Sequence, residues 1–124
     1  MADLRLSDVP TAPGVYVWFS EREPVYVGEA KGSQGLRGRL GAHLRTGVDL
    51  SRSTLRASVA VDLLGVPRST ARRRPSVLTP EEVAVVSQWL RACDISWVVC
   101  EDAEAAHALE STLRMEWLPR LNRI

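Results

Sequence analysis

The amino-acid sequence predicts an α+β domain in which helices pack on a small antiparallel sheet. Two β-branched and aromatic runs, at residues 15–19 and 25–27, flank a short charged stretch that is typical of a turn, and a third run follows at residues 95–100. Between and after these strands, apolar residues recur at the three- and four-residue spacing of amphipathic helices. The 124 residues suffice for one core of modest size, so we expect one domain over residues 1–124.

The first element is a hairpin formed by the segment GVYVWFSEREPVYVG near the N-terminus. Its closing triplet mirrors its opening triplet, with the midpoint at Glu21. Antiparallel pairing about that midpoint would place Gly14 opposite Gly28 and Tyr16 opposite Tyr26, and Pro24 or a bulge would shift this pairing by one residue. Directly opposed residues lie on one face of a sheet, with Cβ atoms about 5 Å apart. The mirrored triplets therefore predict two neighbouring phenols.

A helix is predicted from residue 36 to about residue 45, because Leu36, Leu40 and Leu44 follow one another at four-residue spacing. Arg39 and His43 are also four residues apart in this segment. Side chains at that spacing emerge from the same side of a helix. The helix would therefore present a guanidinium and an imidazole together.

Capping residues mark the start of each of the three remaining helices. Ser53 begins a helix that Gly65 ends, and Thr79, in the sequence TPEE, begins the next helix through a capping box. Asp102 begins the last helix, which ends at about residue 118, before Pro119. Between the first two of these helices, the segment RSTARRRPS is expected to form an exposed, mobile basic loop.

Charge is distributed unevenly along a chain whose formal net charge is only +1. Residues 29–75 hold ten basic residues against three acids, whereas the segments on either side carry net negative charge. A basic stretch of this kind favours a polyanionic partner such as nucleic acid, because neutralised phosphates release counterions. A solvated arginine-rich surface would give the same composition, so the charge pattern alone leaves both interpretations open.

Composition also argues against several classes of protein and site. No apolar run approaches the roughly 18 residues of a membrane-spanning helix, and the N-terminus lacks the layout of a signal peptide. We therefore expect a cytoplasmic protein without membrane contact. Cys93 and Cys100 have no C-x-x-C spacing and no histidine pair nearby, so we expect two reduced thiols and no zinc site.

Five short motifs, taken in order, resemble the GIY-YIG nuclease superfamily. The triplets GVY and YVG are similar to the two that name the family, and LRGRLGAHL is similar to its helix with an arginine followed four residues later by His or Tyr. ALESTL resembles the segment that carries the family's glutamate, and LPRLN resembles its closing Pro-x-x-Asn. Together the motifs extend over residues 13–122, which is nearly the whole chain.

The resemblance implies a three-stranded antiparallel sheet flanked by helices, one divalent metal ion, Mg²⁺ or Mn²⁺, and hydrolysis of a phosphodiester bond. Matched position by position, it implies six catalytic residues: Tyr16, Tyr26, Arg39, His43, Glu110 and Asn122. Glu110 corresponds to the glutamate that binds the metal, and Asn122 would support the site or contact a phosphate. The chain departs from many relatives at Glu29, where they have a basic or small residue, and it carries a basic helical and loop insert at about residues 49–78.

These residue types suit phosphodiester hydrolysis, which needs a deprotonated nucleophile, relief of phosphoryl charge and help for the leaving oxygen. One carboxylate, such as that of Glu110, completes an ordinary Mg²⁺ shell with phosphate and water oxygens. Arg39 can donate a fork of hydrogen bonds to the scissile phosphate. Either Tyr26 or His43 would take the proton from the attacking water: imidazole has the better ordinary pKa, whereas a phenol needs help from the metal and Arg39.

Glu110 also has a distinctive position on its helix. A helical wheel places Ala106, Leu109, Leu113 and Trp117 in a buried stripe and Glu110 at the rim of that stripe. A half-buried carboxylate is costly unless it is paired or bound to a metal. The position therefore favours a functional role for Glu110.

Six basic residues are candidates for contacts with the nucleic-acid backbone: Lys31, Arg37, Arg45, Arg72, Arg73 and Arg74. Such contacts position a strand without reading its sequence. Together with the resemblance, these residues lead us to expect a metal-dependent endonuclease that acts on DNA. Two alternatives remain open: a nucleic-acid-binding module that has lost the reaction, and an RNase that acts on structured RNA.

Overall fold

The computed structural model describes residues 4–124 and contains a three-stranded antiparallel sheet. Strand β1 (Gly14–Ser20) lies in the centre, between β2 (Glu23–Ala30) and β3 (Asp94–Val99). The predicted α+β fold class and the three predicted strands are confirmed. The order of the strands places Tyr16 on the central strand and Tyr26 on an edge strand.

Helices account for most of the remaining chain. In the described part of the protein they are α1 (Gly35–His43), α2 (Thr54–Leu64), α3 (Arg68–Ala71), α4 (Pro80–Ala92) and α5 (Ala103–Trp117). Short 3-10 turns lie near the two ends, at Leu6–Asp8 and Arg120–Arg123. All four helices predicted from the sequence are present, and α3 is the one that was not predicted.

The capping residues found in the sequence begin their helices as predicted. The side chain of Ser53 accepts a hydrogen bond from the backbone N–H of Arg56, and Asp102 does the same for Ala105. Thr79 forms the complete capping box at the start of α4. Each of these bonds satisfies an N–H group that the first turn of a helix leaves without a partner.

The pairing of the hairpin differs from the prediction by two residues. Tyr16 lies opposite Gly28, and Tyr26 lies opposite Trp18. The predicted pairings of Tyr16 with Tyr26 and of Gly14 with Gly28 are therefore wrong. A shift of two residues keeps every side chain on its own face of the sheet. The two phenols remain neighbours, with ring centroids 6.3 Å apart.

The turn and a bulge together cause this shift. Glu21 and Arg22 form a tight turn, in which both residues have positive φ angles of 51° and 70°. The register then shifts again between Trp18 and Phe19, where β1 pairs irregularly with β2. Neither feature is apparent from the mirrored triplets.

The sheet separates two apolar layers. On one face, Tyr16 and Trp18 belong to a large core that also contains residues of α1, α2 and α4. On the other face, Val15 and Val17 pack against α5, where Ala106 is fully buried. Because β1 is covered on both faces, it lacks the apolar and polar alternation of a half-exposed strand.

The predicted insert at residues 49–78 is an integral part of this fold. Helix α2 contributes Leu55 and Val59 to the main core, in which it packs beside α4. The predicted basic loop begins instead with the short helix α3, whose Ala71 is also buried. The prediction of a loop is wrong at Arg68–Ala71, where the chain forms one helical turn that packs against α2.

Residues 4–124 contain neither a membrane-spanning helix nor a disulfide bond. Within residues 4–124 no helix is long and apolar enough to cross a bilayer. Cys93 is buried and Cys100 half-buried, and both are free thiols, as predicted. Burial raises the pKa of Cys93 to about 11, so its thiol stays protonated at neutral pH.

The close approach of β1 to β3 at Gly14 gives a test of the sheet. A Cβ atom at this position would lie 2.2 Å from the carbonyl oxygen of Val98 and 2.8 Å from Leu36 Cδ1. We expect Gly14→Ala to lower the free energy of unfolding by about 1–3 kcal/mol, because backbone must move to make room. Gly47→Ala is the control, since a Cβ there meets nothing within 4 Å.

Chemical denaturation of both variants measures the effect. Gly47→Ala should remain within about 1 kcal/mol of the wild type. Equal stability of the two variants would contradict the strand packing described above.

Candidate active site

A cleft with a volume of 420 Å³ lies where β2, α1, α5 and the C-terminal segment meet. The lining includes six residues that the sequence had indicated: Tyr16, Tyr26, Lys31, Arg39, Glu110 and Asn122. His43 does not line the cleft and lies directly behind Tyr16. Five of the six predicted catalytic residues, which are far apart in the sequence, therefore share one cavity.

Behind the cleft, His43 joins Tyr16 to Ser53 in a buried chain of hydrogen bonds. The hydroxyl oxygen of Tyr16 lies 2.5 Å from His43 Nε2, and Ser53 Oγ lies 2.6 Å from Nδ1 of the same ring. All three side chains are buried. Ser53 Oγ also accepts the backbone N–H of Arg56, so one residue both caps α2 and holds the imidazole.

The imidazole of His43 is neutral. Its burial, with the charges of Arg39 and Arg56 nearby, lowers the pKa of His43 to about 3. A neutral imidazole donates from one nitrogen and accepts at the other, so Tyr16 and Ser53 play opposite roles. When Nδ1 donates to Ser53, Nε2 accepts the proton of Tyr16, and the lone pairs of the phenol are left to face the cleft.

Burial also raises the pKa of both motif tyrosines. At Tyr16 the charge and hydrogen bonding of Arg39 oppose this rise, and at Tyr26 the charges of Arg39, Arg114 and Arg68 oppose it. Burial is the larger cause at each residue, so both phenols are protonated at neutral pH. Tyr26 lies near three guanidinium groups and one carboxylate, that of Glu110, so cationic groups outnumber acidic ones around its hydroxyl.

Glu110 is more deeply buried than the helical wheel predicts. It is 5% exposed, whereas Trp117, which the wheel places in the buried stripe, is 43% exposed. The prediction for Trp117 is wrong because the apolar layer under α5 reaches only to Leu113. The carboxylate of Glu110 lies 3.3 Å from the guanidinium of Arg114, one turn further along the helix.

Two residues that were not predicted join Glu110 at the cleft. The possible ligand atoms of Glu29, His107 and Glu110 all lie within 4.8 Å of one another. Glu29 also pairs with Lys31 at 3.3 Å and with Nδ1 of His107 at 3.0 Å. Two carboxylates and one imidazole are a donor set that fits a divalent cation.

Asn122 is bound to β2 through both ends of its side-chain amide. The backbone N–H of Val27 donates to Oδ1 at 2.8 Å, and Nδ2 donates to the carbonyl oxygen of Val27 at 2.9 Å. Because β2 is an edge strand, this side chain takes the place of a missing neighbour. The geometry favours a supporting role, next to Tyr26, over a phosphate contact for Asn122.

The other predicted nucleic-acid contacts lie away from the cleft. Of the six basic residues, all within the described part of the chain, Lys31 alone lines it. Arg37 donates to the carbonyl oxygens of Val9 and Ser7 and so holds the N-terminal segment against α1. The remaining four lie elsewhere, exposed or half-buried: Arg45, Arg72, Arg73 and Arg74.

Sequence reasoning did not identify Glu29, His107 or Ser53 as site residues. One signal was available, because His107 and Glu110 are three residues apart and therefore share a helix face. Ser53 was identified as a helix cap, but no local pattern connects it with His43. Glu29 reaches the cluster only through the pairing of the hairpin.

Comparison with known proteins identifies the fold. No protein-family profile and no curated protein matches the sequence. Among solved structures, the GIY-YIG N-terminal endonuclease domain of UvrC from Thermotoga maritima, bound to its catalytic divalent cation magnesium, matches with a TM-score of 0.54 and 20% identity, over 94% of this chain and 90% of that one.

Two further structures of that Thermotoga maritima domain also match. Each has one tyrosine replaced by phenylalanine and is bound to its catalytic divalent cation. Their TM-scores are 0.53, with 19% and 18% identity, and each match covers 94% of this chain and 89% of the other. The chain therefore has the GIY-YIG fold that its motifs imply.

The neutral, buried His43 should make stability depend on pH. Histidine in an unfolded chain has a pKa of about 6.5, whereas the pKa of His43 in the folded protein is about 3. The unfolded state therefore binds more protons between these values. We expect the free energy of unfolding to fall as the pH drops through this window, by up to about 1.4 kcal/mol per pH unit.

Chemical denaturation at several pH values between about 7 and about 4 measures this dependence. His43→Gln is the matched variant, because it keeps a donor and an acceptor and removes the titrating group. Carboxylates contribute to both proteins, so the difference between the two slopes isolates His43. Parallel curves would show that His43 is not held neutral by burial.

Proposed function

We propose that this chain, with its GIY-YIG fold, is a metal-dependent endonuclease that hydrolyses phosphodiester bonds in DNA. The observation that carries the proposal is that Tyr16, Tyr26, Arg39 and Glu110, from four different elements, line one cleft. The solved domain with the same fold is an endonuclease domain bound to magnesium as its catalytic cation. We extend that chemistry to this chain, with Mg²⁺ or Mn²⁺ as the cation.

Glu110 would hold the cation, with Glu29 and His107 as further ligands. When bound, a divalent cation supplies Lewis-acid stabilisation of the phosphoryl and leaving oxygens. A carboxylate as buried as Glu110 needs a compensating positive charge. Arg114 provides part of that charge, and a cation held together with Glu29 and His107 would provide the rest.

Arg39 is the residue best placed to bind the scissile phosphate. It lines the cleft, and its charge acts on both phenols, so it lies beside the two tyrosines. A planar guanidinium can donate two parallel hydrogen bonds to one phosphate. Held in this way, the phosphorus would lie between the tyrosines and the cation ligands.

Tyr16 and His43 together would form the unit that accepts a proton. His43 is fully buried and both of its ring nitrogens are engaged, which argues against the direct removal of a proton from water by His43. In the proposed step the proton of the attacking water passes to the oxygen of Tyr16, while the phenol proton passes to Nε2 of His43. Since burial disfavours the imidazolium, Nε2 then returns its proton to the oxygen of Tyr16, and the proton that Tyr16 took from the water passes to solvent in the cleft.

Tyr26 would act as a donor in this scheme. Burial keeps its hydroxyl protonated at neutral pH, and Arg39 and Arg114 increase the positive potential around it. A phenol in that state can donate to a phosphoryl oxygen or orient the attacking water. This assigns the two motif tyrosines to different tasks.

The basic surface outside the cleft would hold the rest of the strand. Lys31 lines the cleft beside Glu29 and is a candidate for a phosphate there, and Arg45, Arg72, Arg73 and Arg74 are candidates for more distant phosphates. Contacts of this kind fix the position of a strand without reading its sequence. The enzyme would act as one domain in the cytoplasm, and the core of that domain includes the insert.

Replacement of Glu110, the buried acid of the proposed cation site, tests the proposed cleavage reaction. Glu110→Gln keeps the shape of the side chain and removes the charge, so we expect Mg²⁺-dependent cleavage of plasmid DNA to fall at least about 1,000-fold. Glu116→Gln, at an exposed position of the same helix, should cleave at the wild-type rate. Undiminished cleavage by Glu110→Gln would contradict the metal-binding role.

The same assay separates the alternative functions. Wild-type protein is incubated with DNA and with structured RNA, in the presence of Mg²⁺ or EDTA. DNA that is shifted on a gel but uncut under every condition would support a binding module, and cleavage of RNA alone would support an RNase.

Arg39→Gln should lower turnover far more than it lowers binding. Loss of a preorganised donor to the reacting group costs about 100- to 1,000-fold in kcat. Arg45→Gln is the matched variant, because this exposed arginine lies outside the cleft and should affect binding alone. If Arg39→Gln weakened binding and left kcat unchanged, Arg39 would be a docking residue.

A further inference from the structure

A second, smaller cavity of 150 Å³ lies next to the cleft. Tyr26, Arg114 and Asn122 line both cavities, so these residues form the wall between them. The polar groups particular to the small cavity are those of Thr54, Ser58 and Arg68. Two of them come from α2, the helix that the insert adds.

Ser58 is the unusual residue of this cavity. It is 1% exposed, and its hydroxyl has no hydrogen-bond partner within residues 4–124. A buried hydroxyl without a partner costs free energy, so such groups are rare in folded proteins. Thr54 lies four residues earlier on the same side of α2 and is the first residue of that helix, at the positive end of its dipole.

The charges around the cavity are positive. Arg68 and Arg114 line it, and none of the described residues that line it has an acidic side chain. Arg68 donates to the carbonyl oxygen of Ile124 at the rim, and Arg114 pairs with Glu110 across the wall. Two guanidinium groups and three hydroxyl-bearing side chains therefore line a small space, which is the donor set of an oxyanion site.

We propose that this cavity binds a backbone phosphate of the nucleic-acid strand, next to the phosphate that is cleaved. The inference rests on the proposed function of the cleft. A cavity of 150 Å³ has room for about five groups the size of water, which suits a single phosphate. Ser58 and Thr54 would donate hydroxyl protons to its oxygens, and Arg68 would neutralise its charge.

A scan with neutral linkages tests this subsite. Short DNA strands, each with one methylphosphonate in place of one phosphate, are bound to the Glu110→Gln protein, and affinity is measured by fluorescence anisotropy. We expect one position, adjacent to the cleavage site mapped with wild-type protein, at which the neutral linkage weakens binding about tenfold. Arg68→Gln should weaken binding of the all-phosphate strand to a similar extent.

The two changes should not add. If Arg68 binds that phosphate, Arg68→Gln will not lower the affinity further for the strand with the methylphosphonate at this position. For strands with the methylphosphonate at any other position, Arg68→Gln will lower the affinity as it does for the all-phosphate strand. In Arg68→Gln the slope of log affinity against log salt concentration should become shallower by about one counterion. Arg120→Gln is the charge-matched control, because Arg120 pairs with Asp62 and lies over Trp89 outside the cavity.

Ser58→Ala distinguishes a ligand-binding hydroxyl from an unused one. Removal of an unpartnered buried hydroxyl should leave thermal stability unchanged or raise it, whereas binding of the all-phosphate strand should weaken several-fold. Unchanged affinity in both Ser58→Ala and Arg68→Gln would overturn the subsite.

Inorganic phosphate separates the two possible sources of the anion. One outcome is that orthophosphate binds to the wild type and binds more weakly to Arg68→Gln, while no position of the strand couples to Arg68. In that case the cavity is a site for free phosphate and the proposal of a strand contact fails. Coupling in a protein that never cleaves DNA would show that the cavity binds a phosphate of the strand, and would refute the nuclease. Cleavage of DNA without such coupling would uphold the nuclease and refute the subsite.

Discussion

The buried imidazole of His43 is the constraint on which the cleft depends. It lies among three aromatic rings, with centroids 5.3 Å from Tyr16, 6.0 Å from Trp18 and 6.1 Å from Tyr26. In such an environment a polar ring must be neutral and must have a partner for each nitrogen. Tyr16 and Ser53 supply those partners, so the phenol of β1 is held in one position by a hydrogen bond that water cannot replace.

This constraint explains the glycine of the YVG triplet and the role of the insert. Gly28 lies opposite Tyr16, and a Cβ atom there would be 2.3 Å from the hydroxyl oxygen of that tyrosine. Glycine at this position therefore leaves room for the phenol to reach His43. Ser53 binds the other side of the same imidazole, so the residue that caps helix α2 completes the support of Tyr16. The mirrored triplets therefore place Tyr16 opposite Gly28, and not opposite Tyr26.

Local sequence patterns predicted the helices and strands, but they did not predict the contacts between them. Caps at Ser53, Thr79 and Asp102 act within one helical turn, and their residue types alone identified the helix starts. The hairpin register depends on a two-residue turn and a bulge, whose energies differ little between neighbouring pairings, so the prediction missed it by two residues. The burial of Glu110 and the double hydrogen bond from Asn122 to β2 arise only when distant segments pack. Conversely, the cluster of Glu29 with His107 could be anticipated only in part, from the spacing of His107 and Glu110 on one helix.

The most direct measurement is the single-turnover rate of DNA cleavage by Tyr16→Phe, compared with wild type and with Tyr26→Phe. Tyr16→Phe removes one oxygen atom from the end of the chain that runs through His43 to Ser53. If Tyr16 relays the proton of the attacking water, the rate will fall by about 100- to 10,000-fold while affinity for DNA stays near the wild-type value. Cleavage by Tyr16→Phe at the wild-type rate would contradict the relay, and would leave the buried histidine as a support for the fold alone.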